Sequence, residues 1–279
     1  MVNITQVIPL LVSIIIITLN EAENLGSTIR SSRNAASTST GKKLPIEVIV
    51  SDGGSIDNTL ELAEAFADKV VHSQKGRYMQ LNAGAKVSKG DILLFLHADT
   101  ILPRGAILRI VKIFQDSKVL GGAFKKDWNW SPNITLSNFL DFSVKFWQGF
   151  GNWLTQLIKE FPGDNAFFIK REVFDQLNGF SPMWICEDFD LSRRLLKYSK
   201  KIERNFLKKI SYKKKIAYIR TPVKTSTRRF ETYGFFKSVY FWFKIYWLWR
   251  VGFTQDQLRD LVPNYKTIPQ YTKRFILRF

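Results

Sequence analysis

Asp99 stands next to last in the stretch "DILLFLHADT", in which five apolar residues, Ile92 to Leu96, end abruptly at His97, Ala98 and Asp99. A buried strand that stops in this way delivers an imidazole and a carboxylate to one sheet edge. Such a carboxylate can hold Mg²⁺ or Mn²⁺ bridging diphosphate oxygens, and an imidazole suits Mn²⁺ better than Mg²⁺. The alternative for His97 is packing at the strand end with a hydrogen bond to a neighbour. Earlier, "SDGGSIDNT" offers Asp52, whose carboxylate can accept from a nucleobase N–H or a ribose hydroxyl, with Gly53 and Gly54 allowing a tight turn. A plain strand-turn-helix with Asp57 as N-cap accounts for the same residues. In "KGRYMQLNAGA", Lys75 and Arg77 flank Gly76 just before a helical pattern, a place to neutralise a diphosphate. Farther on stand Asp164, Glu187, Asp188 and Asp190. An acid pair beside Met183, Trp184 and Ile185 could serve as general base, since partial burial would bring its pKa towards neutrality. It could equally occupy a helix's first turn for dipole reasons.

These groups need a scaffold, and the hydrophobic pattern supplies one. Strand-like runs at 10–18, 46–51 and 91–96, with a shorter β-branched run at 69–72, alternate with helical spacing at about 22–35, 57–67 and 78–87. The alternation predicts βαβ units and a mostly parallel sheet with helices on both faces, in which ligands bind beyond the carboxyl ends of the strands. The polar stretch 36–45 reads as a surface connection. Past residue 120 the pattern changes. Leu136, Leu140, Val144, Trp147, Phe150, Leu154 and Leu157 recur at spacings of three and four, which predicts an amphipathic helix over 135–159 with a core or partner face. The segment 235–253, "FFKSVYFWFKIYWLWRVGF", predicts either a helix packed on the domain or an interfacial helix at a lipid headgroup boundary.

A chain of 279 residues with 45% hydrophobic content can bury one substantial core, and internal repeats and low-complexity tracts are absent from it. Its single cysteine, Cys186, cannot form an intrachain disulfide, which fits a reducing compartment. The N-terminus lacks a basic n-region and a small-residue cleavage site, and the apolar run Leu10–Leu19 is shorter than the roughly 20 residues that a membrane span requires. Net charge is +18, and from Arg193 to Arg229 there are 15 Lys/Arg against one acid, Glu203. Such a segment points to an anionic partner, be it nucleic acid, acidic lipid or a phosphorylated substrate, or else to a solvated basic face.

The order of the motifs resembles glycosyltransferase family 2, whose fold is GT-A. Asn20-Glu21 ends the first strand; Asp52-Gly53-Gly54-Ser-x-Asp-x-Thr, Gly76-Arg77-x-x-Gln-x-Asn82-x-Gly, Leu-His97-Ala-Asp99-Thr, Gly163-Asp164-Asn and Glu187-Asp188 follow. The match covers residues 11 to about 230. The chain looks most like the subgroup with a His-Ala-Asp metal motif, similar to rSAM/selenodomain-associated transferase 2, which also carries a late motif like "TSTRRF" at 225–230. The resemblance implies a Rossmann-like α/β domain over 1–230, a C-terminal aromatic and basic helical extension over 231–279, and inverting transfer from a UDP- or GDP-sugar to an acceptor hydroxyl. It implies that Asn20 and Glu21 lie near the nucleoside, that Asp52 with Gly53 binds the base, and that Arg77, Asn82 and Arg229 contact the nucleotide-sugar. It further implies Asp99, with His97, as ligands to Mn²⁺ or Mg²⁺, Asp188 with Glu187 as the catalytic pair, and Gly163 and Asp164 on the acceptor side.

Two departures stand out. His97 replaces the first aspartate of the usual Asp-x-Asp, which leaves metal identity and dependence open. Ser226-Thr-Arg-Arg229-Phe230 stands where processive relatives carry Gln-x-x-Arg-Trp, so polymerisation is not inferred. The partners implied are a nucleotide-diphosphate sugar and an acceptor that the sequence leaves unidentified. Charge and aromatics favour a lipid-linked acceptor and peripheral association with the cytoplasmic face of the cell membrane, with no nucleic acid. Two further classes stay open at this point. One is a non-catalytic basic module; the other is a nucleotidyltransferase, which usually has a Gly-rich basic loop where this chain has "TLNEAEN".

Overall fold

A computed structural model describes residues 10–129, 138–205 and 215–261. Four strands form the parallel half of one sheet: β1 (Val12–Thr18), β2 (Ile46–Asp52), β3 (Lys69–His72) and β4 (Ile92–His97). β1 lies between β2 and β4, and β2 also pairs with β3, all in parallel. Every residue of β1 is buried because both faces of the strand are covered. Ile14 and Ile16 point into one core, with Leu25 and Ile29 of α1 (Ala22–Ala35) and Ala63 of α2 (Thr59–Phe66). Ile15 and Ile17 point into the other, with Leu81 and Ala85 of α3 (Arg77–Val87). A side chain at Gly84 would strike Ile15, so glycine there lets α3 lie close on β1.

The second half of the sheet is mixed. A short β5 (Thr100–Ile101) and α4 (Ala106–Phe114) lead to β6 (Val119–Asn129); after α5 (Asn138–Ile158) come β7 (Phe168–Lys170), α6 (Arg171–Gln176), α7 (Glu187–Asn205) and β8 (Lys215–Ser226). The strand order is β3-β2-β1-β4-β7-β6-β8-β5. β7 runs antiparallel to both β4 and β6, whereas β6 and β8 are parallel. The expected α/β architecture with helices on both faces therefore holds, with antiparallel strands added in the half where the pattern changed.

Three short helices end the described chain: α8 (Arg228–Tyr233), α9 (Phe235–Arg250) and α10 (Gln255–Leu261). α9 packs on the domain, with Ile245 joining Ile185, Cys186 and Leu258 in a small third core. Buried Glu160 accepts from Arg250 Nη1 at 2.6 Å and from the Tyr246 hydroxyl at 2.9 Å. The α5 stripe is only partly as expected: Val144 is buried, but Leu157 faces outward beside Trp153. Leu136 lies outside the described residues. Among those described, no helix is long and apolar enough to cross a membrane.

Candidate active site

A cleft of about 640 Å³ opens at the carboxyl ends of β1 and β4, lined by Thr18, Glu21, Arg77, His97, Asp99 and Asp188 among others. It also takes Lys126 and Trp128 from β6 and Thr225 to Phe230 from the end of β8 and α8. The sheet thus gathers side chains from strands far apart in sequence.

The 3-10 turn Gly163–Asn165 sits against the start of α7. Gly163 N–H donates to Asp188 Oδ2, and a Cβ on Gly163 would lie 2.5 Å from His97 Nε2 and 3.2 Å from Asp188 Oδ2. Absence of a side chain there is what lets imidazole and carboxylate approach one spot. Burial raises the Asp188 pKa, while Arg77 and the N–H groups of Phe189 and Gly163 pull it back. A carboxylate so placed is a stronger base than an exposed aspartate and still opens to the cleft. Asp164 is held by Lys126 Nζ at 3.1 Å.

Glu187 lies behind. It is buried, its Oε1 is 3.7 Å from Arg77 Nη1, and its Oε2 has no hydrogen-bond partner among the described residues. Burial, with the charge of Asp188 next to it, pushes its pKa to about 7. Glu187 does not line the cleft, so its reach to reactants is indirect, through Arg77. Glu187 and Asp188 also form the first turn of α7, so the dipole account and the functional one describe the same geometry.

His97 and Asp99 flank the end of β4. Burial, reinforced by Arg77, holds the His97 pKa at about 3, so the ring is neutral and keeps a lone pair to donate. Burial and the nearby charge of Glu21 raise the Asp99 pKa, with Arg228 and Arg229 opposing. Among the described residues no three metal-binding side chains cluster. The imidazole of His97 and the carboxylate of Asp99, both at the cleft, are donor types that a divalent ion such as Mn²⁺ accepts.

The nucleoside side differs from expectation in several positions. Asp52 is 1% exposed and does not line the cleft: Oδ2 accepts from Gly54 N and Ser55 N, both at 2.8 Å, and the Ser55 hydroxyl bonds Oδ1. Its carboxylate holds the turn that the two glycines make. Gly53 lies over the Gln80 amide, and a Cβ there would clash with Gln80 Nε2 at 2.9 Å. Asn20, at φ 54°, accepts from Ile56 N at 2.8 Å and so braces the same turn. Asn82 is not at the cleft; its amide binds the backbone of Phe180 in both directions, each at 2.9 Å, tying α3 to the loop before α7. Glu21 does line the cleft, bonded by Arg228 Nη2 at 2.6 Å and Asn24 at 2.8 Å. Arg229 lies over the Trp242 ring at 5.0 Å, and both face the cleft. The N-cap of α2 is Asn58, one residue later than the capping account expects; Asp57, just before it, accepts from Thr59 N at 3.1 Å.

Sequence reasoning missed several lining groups. Gln80 donates to the carbonyls of Thr18 at 2.7 Å and Ser51 at 3.1 Å, joining β1 to β2 at the cleft floor. Its place in the Gly-Arg-x-x-Gln pattern was the available signal. Lys126 and Trp128 carried none, because their strand was not legible.

A sequence model described as glycosyl transferase family 2 matches residues 13–177, more than half the chain. The chain belongs to glycosyl transferase family 2. Glycosyltransferase AglE of Haloferax volcanii is 38% identical over 95 residues, which cover 32% of this chain and 30% of AglE. An uncharacterized glycosyltransferase of Nostoc sp. is 32% identical over 147 residues, covering 50% of this chain and 46% of the relative. The matched segments thus span less than half the length of these curated relatives. The crystal structure of S. aureus TarS 1-349 in complex with UDP-GlcNAc superposes with a TM-score of 0.51 at 15% identity, covering 78% of this chain and 58% of that one. That likeness agrees with the GT-A-like sheet described above.

Proposed function

We propose that this member of the family transfers a sugar from a nucleotide-diphosphate donor to an acceptor hydroxyl with inversion, using the variant His-Ala-Asp motif. The observation that carries the reading is the convergence, in one cleft, of half-buried Asp188 with Asp99, His97 and the cations Arg77, Arg228 and Arg229. Asp188 takes the proton of the acceptor hydroxyl. The acceptor oxygen forms a bond to the anomeric carbon as the bond from that carbon to the diphosphate oxygen breaks. The nucleoside diphosphate leaves with the electron pair, and Arg77, Arg228 and Arg229 offset its charge.

Asp99 and His97 would hold a divalent ion, Mn²⁺ or Mg²⁺, against the diphosphate, and the ion would supply Lewis-acid stabilisation of the leaving group. Gly163 and Asp164 shape the acceptor side. Glu187 positions Arg77. The basic segment and aromatic helix favour an acceptor presented at a lipid surface, and we place the enzyme peripherally on the cytoplasmic face of the membrane.

A mass-spectrometric screen of UDP- and GDP-sugars, with and without Mn²⁺, tests the proposal. UDP-GlcNAc, the ligand in the TarS complex, is a first donor to try. Release of a nucleoside diphosphate from one donor is expected. Failure to bind or turn over any nucleotide sugar would refute the enzymatic reading.

A further inference from the structure

Outside the cleft, two neighbouring helices share an unusual surface. On α9, Phe236, Tyr240, Trp247 and Val251 just beyond it face outward at helical spacing, with Tyr240 69% and Trp247 62% exposed. On α5, Phe142, Phe146, Trp153 and Leu157 do the same, with Trp153 57% exposed. Scattered exposed rings need no explanation, but those of α5 belong to a chain of ring contacts that reaches Phe243 of α9. Phe142 stacks on Phe146 and Phe146 meets Trp147; Trp147 and Phe150 both contact Phe243 of α9, at 5.9 and 6.4 Å. Phe150 in turn contacts Trp153 at 5.8 Å.

The charge of the two helices is mostly positive. α9 contains Lys237, Lys244 and Arg250 and no acid; α5 contains Lys145 and one acid, Asp141. Lys237 and Lys244 are exposed on the aromatic stripe. We infer that the outward face of α5 and α9 docks the protein on a bilayer bearing anionic headgroups, with the rings in the interface and the lysines at the phosphates. Aromatic bodies with polar tips and long cationic side chains suit that boundary. A second copy is a poorer occupant: a two-fold contact would set lysines of one face against lysines of the other, in a chain of net charge +18.

The same surface reaches the cleft. Phe230 lines the cleft and contacts Phe235 at 5.2 Å, which contacts exposed Phe236 at 5.3 Å. Docking would bring the cleft's α8–α9 margin to the headgroup layer. This inference stands on exposure and charge, and not on the transfer reaction.

Co-sedimentation of the full chain with phosphatidylcholine vesicles, with and without phosphatidylglycerol, provides the test. The wild type is expected to pellet with the anionic vesicles, to pellet less with the neutral ones, and to be released by salt. The double variant Trp153→Ser/Trp247→Ser should weaken binding by at least about tenfold through lost apolar area. Lys237→Glu/Lys244→Glu, at exposed positions that folding tolerates, should abolish the preference for anionic vesicles. Calorimetry of nucleotide-sugar binding on the same variants separates the two proposals: donor binding unchanged while vesicle binding falls supports docking, and vesicle binding without any donor binding leaves docking intact and removes the transferase reading. Wild type that stays in the supernatant with both vesicles overturns the inference. So does vesicle binding that survives both double variants, or a solution dimer that Trp153→Ser/Trp247→Ser converts to monomer.

Discussion

In the proposed mechanism the chemistry turns on Gly163. Its N–H holds Asp188, and its missing Cβ leaves room for His97 Nε2. Gly163→Ala should therefore lower kcat sharply, whereas Gly149→Ala, where a Cβ meets nothing within 4 Å, should leave it unchanged; steady-state kinetics with the donor from the screen would show the contrast. Asp188→Asn should keep donor affinity but slow transfer by about 10²–10⁴-fold, the usual contribution of a general base. Calorimetry and single-turnover rates measure the two halves of that statement. Glu187 makes a different prediction. Its folded pKa is raised from 4.5 to about 7, so the folded state binds more protons than the unfolded one between those values. Stability is accordingly lost as pH rises through that window, and Glu187→Gln should flatten the fall in thermal midpoint across it. Of the residues that the sequence singled out, Arg77, His97, Asp99, Asp164, Asp188 and Arg229 line the cleft, and Asp52 and Asn82 do not. The types and order of Asp52 and Asn82 announced a site. Whether a carboxylate or amide faces a ligand or a backbone turn depends on side-chain direction, which spacing alone does not set.

The parallel half of the sheet was legible because each of its strands is a continuous apolar run buried on both faces. The run 69–72 and the helix 22–35 coincide with β3 and α1, and the other boundaries move by one or two residues. β6 and β8 were not legible. β8 mixes basic and apolar residues without a period of two and has Pro222 inside it, and β6 opens on "VLGG" and continues into lysines. Their pairing with each other, across roughly a hundred residues of sequence, is what makes them strands. Lys126 and Trp128 were lost with them. Gln80 is the element-scale link between helix and sheet, since its amide bonds carbonyls on both β1 and β2. Gln80→Leu should leave those bonds unmade and cost about 1–3 kcal/mol, read as a shift in the urea midpoint.

At the scale of the whole molecule, two surfaces divide the work. The cleft collects Glu21 and Asp99 from beyond β1 and β4, Asp164 and Asp188 from the 3-10 turn and the start of α7, and cations from α3, β6 and α8. The paired helices α5 and α9 turn aromatic rings outward beside lysines. Composition announced the cationic excess of +18 without saying where it would act. The fold assigns part of it to the cleft, through Arg77, Arg228 and Arg229, and part to the outer face of α9. The central claim is that the cleft binds a nucleotide sugar and that Asp188 activates its acceptor. Donor turnover by wild type and Asp188→Asn, followed by mass spectrometry with Mn²⁺ and matched with calorimetric donor affinity, tests that claim most directly. The account predicts equal affinity and a rate for the variant lower by about 10²–10⁴-fold. Equal rates for the two proteins, or no nucleotide sugar bound by either, would contradict it.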